Sequence, residues 1–166
     1  MGVWVFTDGS VQDDSSGAAA IFEDPHGSLG GTSLRFPLGP LQSSTDAELV
    51  GIRGALSHLT HTRDWHQVTI VTDSQAAIRM IRGIDWRRCR TSVHSIHQSI
   101  QALMAQGRQV QLWWVPSHQG ISGNEIADAA ARAALEASRM TSGAYTVTRT
   151  MLEGAVRRWY QGLVRS

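Results

Sequence analysis

Val5-Phe6-Thr7-Asp8-Gly9-Ser10, and again Ile70-Val71-Thr72-Asp73-Ser74-Gln75, are runs of β-forming residues that close on Thr-Asp and a small residue. A buried strand that ends in a carboxylate delivers charge to the carboxyl edge of a sheet, the edge where open α/β sheets bind ligands. Two such strands side by side hold two aspartates in one crevice. Like charges that close ionise together only at a cost unless something positive lies between them. A divalent cation with oxygen ligands meets that need, and phosphoryl transfer or phosphodiester cleavage is the chemistry it serves.

Around these two runs the periodicity alternates between strand and helix. Residues 3–7, 18–23 and 29–36 read as strands joined by short turns, hence as antiparallel neighbours, with Pro37-Leu38-Gly39-Pro40 closing the meander. Residues 43–60 switch to helical spacing through Leu49, Ile52, Leu56 and Leu59, with Ser44 or Thr45 as the expected cap and Glu48 in capping-box position. A strand at 68–72, helices at 74–81 and 90–106, a strand at 109–115 and an alanine-rich helix at 122–137 follow. Right-handed crossovers then place the first and fourth strands parallel and adjacent, so that Asp8 and Asp73 share one sheet edge. The expected domain is 1–137. Residues 138–166 are expected to form a linker and a C-terminal helix, in which Met151, Leu152, Ala155, Val156, Trp159 and Leu163 share a side.

The chain has 166 residues, 42% of them hydrophobic, enough for one well-buried core. Cys89 is the single cysteine, so no internal disulfide forms. No stretch has the roughly 20 apolar residues of a membrane span. The first strand begins at about Val3, so no signal peptide is expected, and the expected location is intracellular, nuclear or cytoplasmic. Net charge is only +1, yet residues 1–64 carry eight acids and three arginines while 65–166 carry twelve arginines and six acids. All 15 basic residues are arginine, the side chain suited to bidentate phosphate contact.

Two further acids join the strand-end pair. Glu48 shares a helix face with Ile52, Ala55 and Leu59, which points it inward, where an unpaired charge costs several kcal/mol. Asp128 rides on the alanine-rich helix, whose small side chains permit close approach to a sheet. Just before that helix, Val115-Pro116-Ser117-His118-Gln119-Gly120-Ile121-Ser122-Gly123-Asn124 is a glycine-bearing loop. Its His118 carries an imidazole, the side-chain type suited to moving a proton.

Thr7-Asp8-Gly9-Ser10, Asp46-Ala47-Glu48, Thr72-Asp73-Ser74, and His118 ten residues before Asp128 in His-x-Gly-x-x-Gly-Asn-Glu-x-Ala-Asp together resemble type 1 ribonuclease H. The resemblance covers about residues 3–136 in unbroken order. It implies an RNase H-like α/β fold, a five-stranded mixed sheet (three antiparallel strands, then two parallel) flanked by helices. It also implies an endonuclease that cuts the RNA strand of an RNA–DNA hybrid. Asp8, Glu48, Asp73 and Asp128 would hold two Mg²⁺ ions, with Mn²⁺ as a substitute, while His118 would assist proton transfer or product release. Gly9, Ser10, Ser44, Thr45, Ser74 and Gln75 would read the 2′-OH that only RNA offers.

The chain departs from many cellular members in lacking a long Lys/Trp-rich protrusion between the helices at 74–81 and 90–106. A smaller patch stands there instead, with Trp86, Arg87 and Arg88 as the expected DNA-strand contacts. This compact form, with Trp159-Tyr160 near the C-terminus, resembles RNase H domains of retroelement polyproteins, particularly non-LTR retrotransposons. A linked reverse transcriptase and a monomeric state are expected. Two competing readings are a non-catalytic hybrid-binding module and a transposase- or resolvase-type nuclease on the same fold. The complete set of acids weighs against the first, and their spacing with the histidine loop against the second.

Overall fold

The computed structural model describes residues 2–24, 27, 29–41, 43–84 and 89–140. Their elements run β1 (Gly2–Gln12), β2 (Ser15–Glu23), β3 (Ser33–Leu38), α1 (Ser44–Thr60), β4 (Gln67–Thr72), α2 (Gln75–Ile81), α3 (Arg90–Ala105), β5 (Gln109–Trp114) and α4 (Ser122–Met140). The sheet order is β3-β2-β1-β4-β5, antiparallel across β3-β2-β1 and parallel across β1-β4-β5. This is the expected mixed sheet.

Alternation along each strand assigns its two faces. Val3, Val5, Val68 and Ile70 pack against Leu49, Ile52, Leu56 and Leu59 of α1 and Val93, Ile96 and Leu103 of α3. Each such aliphatic side chain contributes about 1.5–3 kcal/mol on full burial. On the opposite face Phe6, Ile21 and Val71 meet Ala127, Ala130 and Ala131 of α4. That helix lies very close: a Cβ on Gly17 would stand 2.3 Å from the Leu135 nitrogen and 2.4 Å from the Ala131 carbonyl oxygen.

Four local details differ from expectation. β1 does not stop at Thr7; its pairing with β2 continues to Gln12↔Ser15, and the turn narrows to Asp13-Asp14 with Asp13 left-handed at φ 53°. β3 starts later than Leu29, which is buried in the preceding loop, and it includes Pro37, tolerated because β3 is an edge strand. The cap of α1 is Ser43, whose Oγ accepts from the Asp46 backbone N–H at 3.3 Å and donates to Asp46 Oδ2 at 3.1 Å. Asp46 thus partners the cap, its carboxylate accepting from the Ser43 hydroxyl, and Glu48 is left for the crevice. Finally, α4 continues past residue 137 to Met140. Residues 141–166, with the helix expected there, and Trp86, Arg87 and Arg88 lie outside the described residues.

Candidate active site

The parallel register between β1 and β4 ends at Phe6↔Val71, and Asp8 and Asp73 each stand two residues beyond it. The sheet therefore sets them level. Past this point β1 runs on paired only with β2, so its β4-side edge opens as a crevice. Thr7 Oγ1 donates to the Val71 carbonyl at 3.3 Å and ties the two strands at the crevice floor.

Glu48 arrives from the first turn of α1 because the residue after Asp8 has no side chain. A Cβ on Gly9 would stand 2.4 Å from the Glu48 nitrogen and 2.6 Å from the Ala47 carbonyl carbon. With that space open, ligand atoms of Asp8, Glu48 and Asp73 lie within 4.8 Å of one another. Asp8 and Glu48 are each only 6% exposed.

Neighbouring groups fix the three acids. Thr72 Oγ1 donates to Glu48 Oε2 at 3.4 Å and accepts from the Ser74 backbone N–H at 3.1 Å. Asn124 Nδ2 donates to Asp73 Oδ2 at 3.4 Å, and Trp114 Nε1 donates to the Asp73 carbonyl at 2.9 Å. Asn124 is itself buried, and its Oδ1 has no hydrogen-bond partner among the described residues.

Burial is the main force on the charges here. It pushes the Asp8 carboxyl up to about 6, with the Asp73 and Asp128 charges adding to the push while the Glu48 hydrogen bond and the Gly9 backbone oppose it. It pushes Glu48 up to about 10, with the Asp8 charge and hydrogen bond adding. Glu48 is the member of the pair that keeps the proton. Among the described residues no arginine or histidine forms an ion pair with Asp8, Glu48 or Asp73. A buried, uncompensated cluster of oxygen donors fits a hard divalent cation.

Asp128 and His118 form a neighbouring group rather than part of this cluster. Ligand atoms of His118, Glu125 and Asp128 lie within 4.8 Å of one another. Arg132 holds Asp128 bidentately, with Nε to Oδ1 at 3.0 Å and Nη2 to Oδ2 at 2.5 Å. His118 is exposed and left-handed at φ 54°, followed by Gly120 at φ 73°, a tight turn between β5 and α4. Asp128 is still near enough for its charge to act on Asp8.

Gly9 and Ser10 line β1 just past Asp8, while Ser44 and Thr45 open α1. Ser74 caps α2, its Oγ accepting from the Ala77 N–H at 3.1 Å, and Gln75 is exposed beside it. Sequence reasoning missed three contributors: Asn124, Glu125 and Trp114. The signal for two of them was present. Asn124 and Glu125 precede Asp128 by four and three residues, which places all three on one helix flank.

The family model for RNase H matches residues 1–136. Pol polyproteins of equine infectious anemia virus, isolates 1369 and CL22, are each 33% identical over 132 residues, covering 79% of this chain and 10% of theirs. The chain thus spans about a tenth of the length of the curated relatives it matches. The fold is similar to the N-terminal RNase H domain of a Mycobacterium tuberculosis protein (TM-score 0.66, 20% identity, 86% of this chain and 99% of that one). It is similar to RNase H1 of Halobacterium salinarum (0.63, 18%, 82% and 99%). LC11-RNase H1, isolated from compost and solved in complex with an RNA/DNA hybrid, is a third (0.59, 17%, 80% and 99%). A family match over most of the chain, together with the shared sheet, shows that this chain belongs to the RNase H family.

Proposed function

We propose that this domain hydrolyses the RNA strand of RNA–DNA hybrids. The observation that carries this reading is the convergence of Asp8, Glu48 and Asp73 within 4.8 Å in a crevice where, among the described residues, none of them has an ion-paired partner. The relative solved with an RNA/DNA hybrid supports the substrate class. The Pol relatives support a retroelement polyprotein as parent, with a linked reverse transcriptase.

Asp8, Glu48 and Asp73, joined by Asp128, would hold two Mg²⁺ ions, with Mn²⁺ able to stand in. When bound, divalent cations acidify the attacking water and stabilise charge on the leaving oxygen. The chain supplies the rest. Glu48 gives up its proton as cations enter. Asn124 and Trp114 hold Asp73 level with Asp8. To join the set, Asp128 gives up its exposed pairing with Arg132, a loss of less than about 1 kcal/mol. His118, at the solvent end of the turn before α4, moves a proton or helps product leave. Gly9, Ser10, Ser44, Thr45, Ser74 and Gln75 ring the crevice and read the 2′-OH. Trp86, Arg87 and Arg88 grip the DNA strand. The domain works as a monomer.

Incubation with labelled RNA–DNA hybrid, double-stranded RNA and duplex DNA, with Mg²⁺ or with EDTA, tests this reading. Cleavage of RNA in the hybrid alone, abolished by EDTA and by Asp73→Asn, is expected. Tight hybrid binding without cleavage would favour a non-catalytic module instead.

A further inference from the structure

We propose that the exposed indole of Trp114 is the platform on which the sugar next to the scissile phosphate packs. This contact rests on the hybrid hydrolysis proposed above and adds to it a salt-independent share of substrate affinity.

Trp113 and Trp114 are consecutive in β5, so strand alternation sends them to opposite faces of the sheet. Trp113 takes the α4 side, where it meets Trp4 edge to face at 5.3 Å. Trp114 follows Val110 and Leu112 on the other side, and those two pack against the core beneath α1 and α3. Trp114 stands beyond that core, 46% exposed. A single exposed tryptophan is ordinary on a protein surface. Two features set this one apart.

The first is its place. Trp114 pairs with Thr72, the last residue of β4, and the Val115 N–H donates to the Thr72 carbonyl at 3.1 Å. The indole therefore stands at the carboxyl edge of the sheet, beside Asp73. α2 touches β5 on this side, and its exposed Gln75 and Ala76 follow closely on Asp73 in the chain.

The second is how the ring is held. Trp114 Nε1 donates to the Asp73 carbonyl at 2.9 Å, which fixes the ring against the residue that carries the carboxylate. That N–H is the only polar group an indole has, so the exposed remainder is a flat apolar surface. Among the described residues no other ring and no cation stacks on it. A ring already in place loses little conformational freedom when a partner lands on it.

The chemistry of this surface selects the part of the substrate. In a paired hybrid the bases stack on one another, and the backbone offers phosphates and sugars to a protein. A phosphate calls for N–H donors or positive charge, and the indole surface supplies neither. The C–H face of a pentose fits a flat apolar ring. The scissile phosphate must meet cations held by Asp73, so the sugar within reach of Trp114 belongs to a nucleotide flanking that phosphate in the RNA strand.

Binding of a labelled RNA–DNA hybrid to the full 166-residue chain tests the contact. It is measured across salt in a cleavage-deficient Asp73→Asn background, which keeps the backbone carbonyl that the indole meets. Trp114→Leu removes the ring and is expected to weaken binding at least about 5-fold, the low end for a stacked aromatic. The slope of log K against log salt should stay the same, because no phosphate contact is lost. Trp114→Phe keeps a flat ring without the N–H and should bind nearly as tightly as its parent. Should Trp114→Leu fail to fold, oxidation by N-bromosuccinimide mapped by mass spectrometry decides: hybrid should shield Trp114 and leave Trp113 as reactive as before. Undiminished binding by Trp114→Leu, an equal loss in Trp114→Phe, or oxidation of Trp114 unaffected by hybrid would overturn the contact and leave hybrid hydrolysis standing. A chain that neither binds nor cleaves the hybrid would overturn both.

Discussion

At Gly9 a single missing side chain decides whether the crevice exists. The nearest atoms to a Cβ there are helix backbone, which cannot swing aside, so Gly9→Ala must push α1 off β1. Urea unfolding should show a loss of about 1–3 kcal/mol, as for other overpacked sites, and hybrid cleavage should fall with it. The proton held by Glu48 gives a second expectation. Asp8 and Glu48 sit above their ordinary values of 3.8 and 4.5 in the metal-free fold, so the folded state keeps protons that the unfolded chain has released. Stability then falls as pH rises, from about 4, through about 6 for Asp8 and on toward about 10 for Glu48. In EDTA, Tm should decline between about pH 5 and pH 8; Mg²⁺ should remove the decline, and Glu48→Gln should flatten it without metal. A metal-free Tm that climbs over this range, and a Glu48→Gln variant that tracks it, would contradict the assignment.

Among the elements, α1 separates two roles that the sequence confounds. Glu48 lies three residues after Thr45 and so mimics a capping box, whereas the cap is Ser43 with Asp46. Ser43→Ala should cost about 1 kcal/mol and Thr45→Ala far less, read by thermal unfolding. Equal losses would return the cap to Thr45. The strand-end aspartates were legible because β-propensity, the Thr-Asp-small pattern and right-handed crossovers all act on the same residues. The length of β1 was not. Gly9 and Ser10 look like turn residues, and only pairing with β2 keeps them extended. Trp114 was equally hidden, since its indole meets Asp73 across strands far apart in sequence. The approach of α4 is a further element-scale feature. Gly17→Ala would drive a methyl into α4 backbone and should destabilise the fold by more than an exposed Gly→Ala change does.

Across the whole molecule, acids converge at the carboxyl end of the sheet while arginine dominates the second half of the chain. That separation suits a substrate whose backbone is anionic but whose scissile phosphate must meet cations. Phosphate contacts release counterions, so Arg87→Ala with Arg88→Ala should weaken hybrid binding and flatten the slope of log K against log salt. An unchanged slope would remove those residues from the interface. Four carboxylates stand out in the sequence, and the fold sorts them into a tight trio and a flanking Asp128 paired with Arg132. Helical spacing carries no record of that pairing's strength, so sequence alone could not divide them. The most direct test is a crystal grown with Mn²⁺ and its anomalous difference map. A peak bonded to oxygens of Asp8, Glu48 and Asp73 at about 2.0–2.3 Å is expected, the range of hard-cation–oxygen bonds. A well-ordered crevice with no peak at saturating Mn²⁺ would contradict the proposed metal centre.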